Sequence, residues 1–316
     1  MALAGALLVL LAVATRAAAH GGRELTPVSG LDWLIRWSFD PLIVVLLVIL
    51  SAGYGLLVRR VNLRHPTNRW QSLRTWAFVA AVATLVLALL SPIDTFSDDL
   101  LSIHMVQHML LMMVAAPLLA ASAPGTLALR AASTRVRTGI LLPVLHSRVA
   151  GVLTFPVTGW LVFIVALWAS HLTDLYNIAL TNDAVHAAEH GIYLVAACLF
   201  WWPIFSPDPI RWRLHPAARA LGMVLQIPAI SFLSMILMSA SRVLYPAYVG
   251  RAAVLGIDPL VDQKAGAAVM WISGTMMFAL AVLVLVGLWM RRSDAQMRRE
   301  DARLDEAARE AREAAR

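Results

Sequence analysis

Five of the chain's nine histidines fall into a pattern that could bind metal. His104 and His108 are four residues apart, His186 and His190 repeat that spacing, and His171 lies between the two pairs. Four residues of α-helix advance about 6 Å and return to the same face, so each pair can offer two imidazoles to one ion. Gln107 precedes His108, and Glu189 stands inside the second pair. Both are placed to steady an imidazole through a hydrogen bond to its other nitrogen. Met105 separates His104 from His108, and Met270 opens the last apolar segment. Thioethers suit Cu(I), although methionine also fills the cores of helix bundles. Cys198 is the single cysteine, so neither a disulfide nor a thiolate pair is available, and soft-metal chemistry falls to His and Met. His65, His146 and His215 lie in arginine-rich stretches and read as ordinary interfacial side chains.

The elements that must position these groups follow from composition. Of 316 residues, 60% are apolar and 14% charged, and the mean hydropathy is +0.73. Soluble domains carry about 25% charged residues. A soluble enzyme and a disordered chain are both excluded, because neither could keep so much apolar surface from water. Seven segments, roughly 34–58, 75–92, 100–120, 150–170, 186–206, 217–240 and 266–290, are long and apolar enough to span a bilayer. The fold expected is therefore an all-α integral membrane protein, a bundle of seven transmembrane helices.

The net charge of +7 belongs to loops rather than to a nucleic-acid surface. Arginines crowd every second connection: Arg59, Arg60, Arg64, Arg69 and Arg74, then Arg130, Arg135, Arg137 and Arg148, then Arg211, Arg213 and Arg219, then the tail. The positive-inside rule puts those segments in the cytoplasm, the N-terminus outside and the C-terminus inside. His20, His104, His108, His171, His186 and His190 then all fall at the outer ends of spans. Residues 1–19 read as a signal peptide, with Ala17-Ala18-Ala19 as the cleavage site or, uncleaved, as part of a first helix. Cleavage there would leave His20 with a free α-amine, a two-nitrogen chelate for Cu(II). Residues 20–290 form the membrane domain, and the charged tail 291–316 reads as a solvated cytoplasmic helix with pairs such as Asp305 and Arg309.

Four ordered stretches carry a resemblance. His104-Met-Val-Gln-His108 runs on to Ala116-Pro117 and Ala123-Pro124. His171-Leu-Thr-Asp-Leu-Tyr176-Asn177 follows, then His186-Ala-Ala-Glu189-His190 leading into Phe200-Trp201-Trp202-Pro203. The last is Asp258-Pro259-Leu260-Val261-Asp262-Gln263 with Met270-Trp271. Together they resemble the multi-span CtaG family, associated with assembly of caa-type cytochrome c oxidases. Ser122 stands where that pattern has glycine.

The resemblance implies a non-enzymatic assembly factor in a bacterial plasma membrane, handling copper on the outer face. Oxidase subunits, the lipid bilayer and periplasmic copper chaperones would be its partners. Its polar site residues would be His104, His108, His171, His186, Glu189, His190, Asp262 and Gln263. On this reading the histidines are ligands, and Gln107, Glu189, Asp262 and Gln263 orient them. Three other readings compete. Paired histidines also ligate haem, although i, i+4 partners on one face cannot take both axial positions of one haem. His186-x-x-Glu189-His190 matches the H-x-x-E-H metallopeptidase pattern. A solute transporter is the third, without an inverted repeat to support it.

Overall fold

The computed structural model describes residues 32–212 and 214–314. The expected signal segment and His20 lie outside the described residues. Within them the chain is helical, with no strand. Six helices are long and apolar enough to cross a membrane. They are α1 (Pro41–Arg64), α2 (Ser72–Leu89), α3 (Leu101–Ala131, interrupted as described below), α5 (Asp183–Phe205), α6 (Pro216–Ser239) and α7 (Pro259–Ala314). Between α3 and α5 runs α4 (Pro156–Leu172), a shorter apolar helix of 17 residues. The segment expected at 150–170 thus starts late. Arg148–Leu153 forms a separate short helix, and the chain re-enters helical geometry at Pro156.

Local chemistry explains most helix starts. Asp40 accepts from the N–H groups of Leu42 and Ile43 at 2.7 and 3.2 Å, and Pro41 takes the first helical position of α1. Asn182 caps α5 in the same way, and Asp258 caps α7. His215, expected to be an interfacial side chain, uses Nδ1 to accept from Ala217 N–H at the start of α6.

α3 is the central helix, packed against α2, α5 and α7, whereas little of α1 is buried. Its path is irregular around Pro117 and Ala123. Pro117 has no N–H to give and its ring crowds the carbonyl four residues back. The turn before it, Leu110–Ala115, relaxes into a π-helix. Trp201 of α5 donates its indole N–H to the Met112 carbonyl at 2.9 Å within that stretch. Ala123 then takes a left-handed conformation, φ 54°, and the helix restarts at Pro124. Asp208, on the segment after α5, caps that restart by accepting from Gly125 and Thr126 N–H at 3.0 and 2.6 Å.

Close helix crossings depend on glycine. A Cβ on Gly159 of α4 would lie 2.5 Å from the Leu199 carbonyl oxygen of α5, and one on Gly266 of α7 would crowd Leu101 and Met105 of α3. Outward faces carry exposed apolar side chains such as Val45, Ile49, Val165 and Leu283, as a lipid-facing surface requires. The charged tail, read from the sequence as helical, extends the last span without a break, so α7 runs for 56 residues.

Candidate metal centre

His104 and His108 project from the first turns of α3, His186 and His190 from the first turns of α5. Ring centroids are 4.2 Å apart within the α3 pair and 4.3 Å within the α5 pair. Across the helices His104 faces His186 at 5.1 Å, and His108 faces His190 at 5.2 Å. Both pairs therefore run in the same direction and in register, and four imidazoles form a near-rectangular array. His104 and His108 are fully buried.

The array contains two sets of metal-ligating atoms that lie within 4.8 Å of one another: His104, His108 and His190 in one, and His104, His186 and Glu189 in the other. Glu189 is buried, and neither of its carboxylate oxygens makes a hydrogen bond of ordinary geometry, although the Tyr193 hydroxyl lies close enough to interact with it. A buried carboxylate without a well-made hydrogen bond is costly unless it holds a proton or a cation. His104 Nε2 lies 2.8 Å from His108 Nε2, and His108 Nδ1 is buried without a partner. Ligands of a tetrahedral metal sit about 3.3 Å apart at ordinary metal–nitrogen lengths, so a small opening of this pair would admit an ion.

His171 stands at the edge of the array. Its Nδ1 bonds the Leu167 carbonyl at 2.8 Å, leaving Nε2 as the lone-pair nitrogen, which is buried and unpartnered. The Tyr176 ring separates it from the others, 5.3 Å from His171 and 5.4 Å from His104. It belongs to neither set of closely spaced ligand atoms.

The other sequence candidates hold the surroundings. Asp262 accepts from Leu101 N–H at 2.7 Å and Ser102 N–H at 3.3 Å, so this residue of α7 caps the helix that carries His104 and His108. Gln263 accepts from Leu244 N–H at 2.7 Å and donates to the Arg242 carbonyl at 3.3 Å, pinning the connection from α6 to α7. Gln107 donates to the Ala88 carbonyl and to Asp94, each at 2.8 Å. These bonds go to backbone and to Asp94, not to an imidazole. Met105 lies in the close crossing of α3 with Gly266, and Met270 is fully buried in the apolar core.

Sequence reasoning missed the tyrosines. Four of the five in the chain, Tyr176, Tyr193, Tyr245 and Tyr248, are buried around the histidines. Tyr193 packs edge-on against His108 at 4.7 Å. Tyr248, on the short helix Ala247–Val254, contacts His104 Nδ1 at 2.7 Å and donates to the Ser97 carbonyl at 3.1 Å. Tyr245 donates to the His171 carbonyl at 3.2 Å. Burial pushes the hydroxyl pKa of Tyr176, Tyr245 and Tyr248 above the ordinary tyrosine range, so all three stay neutral at physiological pH. A signal was present: Tyr193 follows His186 and His190 at i+7 and i+3, on the same helical face.

Fold and site together define a polytopic helical membrane protein with a buried histidine cluster at the starts of two helices. The chain belongs to the family of cytochrome c oxidase caa3 assembly factors, whose model matches residues 52–292. Curated relatives include an uncharacterized protein of Mycobacterium leprae, 28% identical over 85% of this chain and 42% of the relative. Uncharacterized proteins of Mycobacterium bovis and Mycobacterium tuberculosis are also 28% identical, over 86% of this chain and 42% of their own length. The chain thus spans about two fifths of these relatives. No solved structure matches.

Proposed function

We propose that this protein assists maturation of a caa3-type oxidase by carrying copper as cargo in the histidine array. The observation that carries the reading is the array itself: four imidazoles with neighbouring ring centroids 4.2–5.2 Å apart, and the buried Glu189 carboxylate within ligand distance of two of them. Imidazole suits copper, and three ligands per set leave the open coordination that transfer to a partner needs. Rings packed at these distances favour a single ion over a planar macrocycle, which supports copper over haem. The family favours carriage over peptide hydrolysis at His186-x-x-Glu189-His190.

The arginine distribution supports seven spans in a bacterial plasma membrane, with α4 as the seventh, the N-terminus outside and the array near the outer face. Copper would then arrive from periplasmic chaperones and leave to oxidase subunits. His104, His108, His186 and His190 are the ligands, with Glu189 as a further donor. His171, His20, Met105 and Met270 are reserve candidates, and Gln107, Asp262 and Gln263 keep the supporting elements in place.

The test is elemental analysis of detergent-purified protein after growth with copper, beside a His104→Ala/His190→Ala variant, with oxidase activity assayed in the same cells. Near-stoichiometric copper in the wild type, lost in the variant together with oxidase activity, supports the reading. No copper in either overturns it.

A further inference from the structure

The two ligand sets share one residue, His104, and that restricts what the centre can hold. His104 Nδ1 lies 2.7 Å from the Tyr248 hydroxyl, which also reaches the Ser97 carbonyl at 3.1 Å, so Nδ1 is already engaged and Nε2 is the nitrogen left for an ion. An ion on Nε2 requires the His104 proton on Nδ1, where it donates to the Tyr248 oxygen while that hydroxyl donates to the Ser97 carbonyl. His104 belongs both to the set with His108 and His190 and to the set with His186 and Glu189, and with Nδ1 engaged it offers Nε2 to either. One imidazole lone pair binds one cation.

We infer that the centre holds a single copper ion with two alternative positions, and that the ion moves between them while staying bound to His104 Nε2. This rests on the copper reading above and adds a route through the site. The first position, His104 with His186 and Glu189, lies nearer the helix starts. The second, His104 with His108 and His190, lies deeper by up to one turn, or about 5 Å. The move exchanges His186 and Glu189 for His108 and His190 and leaves the oxidation state unchanged. In the second position copper displaces the proton shared by the His104 and His108 Nε2 atoms. That proton passes to His108 Nδ1, which is buried without a partner. The first position adds a carboxylate oxygen, a harder donor that favours a more highly charged ion. The second offers only neutral imidazoles. Tyr248 is a positioning residue here, because it fixes which nitrogen of His104 faces the ion.

The experiment adds Cu(II) to detergent-purified protein in a His20→Ala background, so that the chain's amino-terminal region adds no site. Stoichiometry is read by equilibrium dialysis and the ligand set by electron paramagnetic resonance. The expected result is one copper per chain in the wild type. Glu189→Gln should keep one copper with a three-nitrogen pattern. His108→Ala should keep one with two nitrogens and oxygen, and His104→Ala should lose it. Tyr248→Phe should elute as the wild type on gel filtration and bind copper about 10- to 100-fold more weakly. Two coppers per wild-type chain overturn the inference. So do full copper binding by His104→Ala, identical spectra from Glu189→Gln and His108→Ala, or unchanged affinity in Tyr248→Phe. Absence of copper from the wild type overturns the copper reading itself, a different result from any of these.

Discussion

At His104, two neighbours on different elements decide the chemistry: His108 one turn further along the same helix, and Tyr248 on the connection between α6 and α7. The first was legible in the sequence, because i, i+4 spacing fixes a shared helical face whatever the tertiary fold. The second was not. Its contact closes across 144 positions, and no local periodicity encodes it. Asp262 and Gln263 were marked as polar site residues, but their work as a cap and a loop anchor became visible only with their backbone partners in view. The buried tyrosines carry a consequence for alkaline stability. In the unfolded chain a tyrosine ionises near pH 10, whereas burial holds Tyr176, Tyr245 and Tyr248 protonated well above that. Above pH 10 the native state therefore binds more protons than the unfolded state, and stability falls as pH rises. Each such group contributes a slope of about 1.4 kcal/mol per pH unit until its native pKa is reached. Chemical unfolding of detergent-solubilised protein between pH 9 and 12 measures this. Tyr245→Phe should flatten the slope by about that amount, and an unchanged slope would contradict the burial argument.

At the scale of elements, apolar runs and arginine-rich connections made six long helices legible, since span length follows directly from bilayer thickness. Their ends were less so. α1 begins at Pro41, several residues later than hydropathy alone placed it, because Asp40 supplies a cap there. The break at Ala123 is capped from a distant segment by Asp208, and the π-helical stretch that Pro117 forces is braced by Trp201 of α5, partners that no local pattern shows. The α4–α5 crossing is the element-level feature most exposed to mutation. In Gly159→Ala the new methyl would meet the Leu199 carbonyl oxygen at 2.5 Å, and backbone cannot yield as a flexible side chain can. The expected cost is about 1–3 kcal/mol. It should appear as a lowered midpoint of thermal unfolding and, if the array carries copper as proposed, as weaker copper retention, because α5 carries His186 and His190. A variant with wild-type melting would show that the crossing tolerates a wider spacing.

Across the whole molecule, the bundle gathers the four histidines of the array at one end and most of its arginines at the other. His104, His108, His186 and His190 open α3 and α5, while Trp70, at the opposite end, lies under the guanidinium groups of Arg74 and Arg130 at 5.0 and 5.7 Å. This polarity was legible as a count of arginines along the chain, before any contact was known. It predicts that trypsin added to intact spheroplasts leaves the arginine-rich end of α7 uncut, whereas trypsin added to inverted membrane vesicles removes it. Cleavage from the outer side alone would reverse the orientation and put the histidine array on the cytoplasmic face.

The length of α7 has a mechanical meaning. At 1.5 Å per residue, its 56 residues make a rod of about 84 Å, against about 30 Å of hydrocarbon. The near end of the rod holds Asp262, which grips the first turn of α3 beside His104. A rod pivoted there acts as a pointer: a 10° tilt sweeps its far tip by about 15 Å. Any slight rocking of the gripped end is thereby magnified at the charged tip, several tens of ångströms from the histidines.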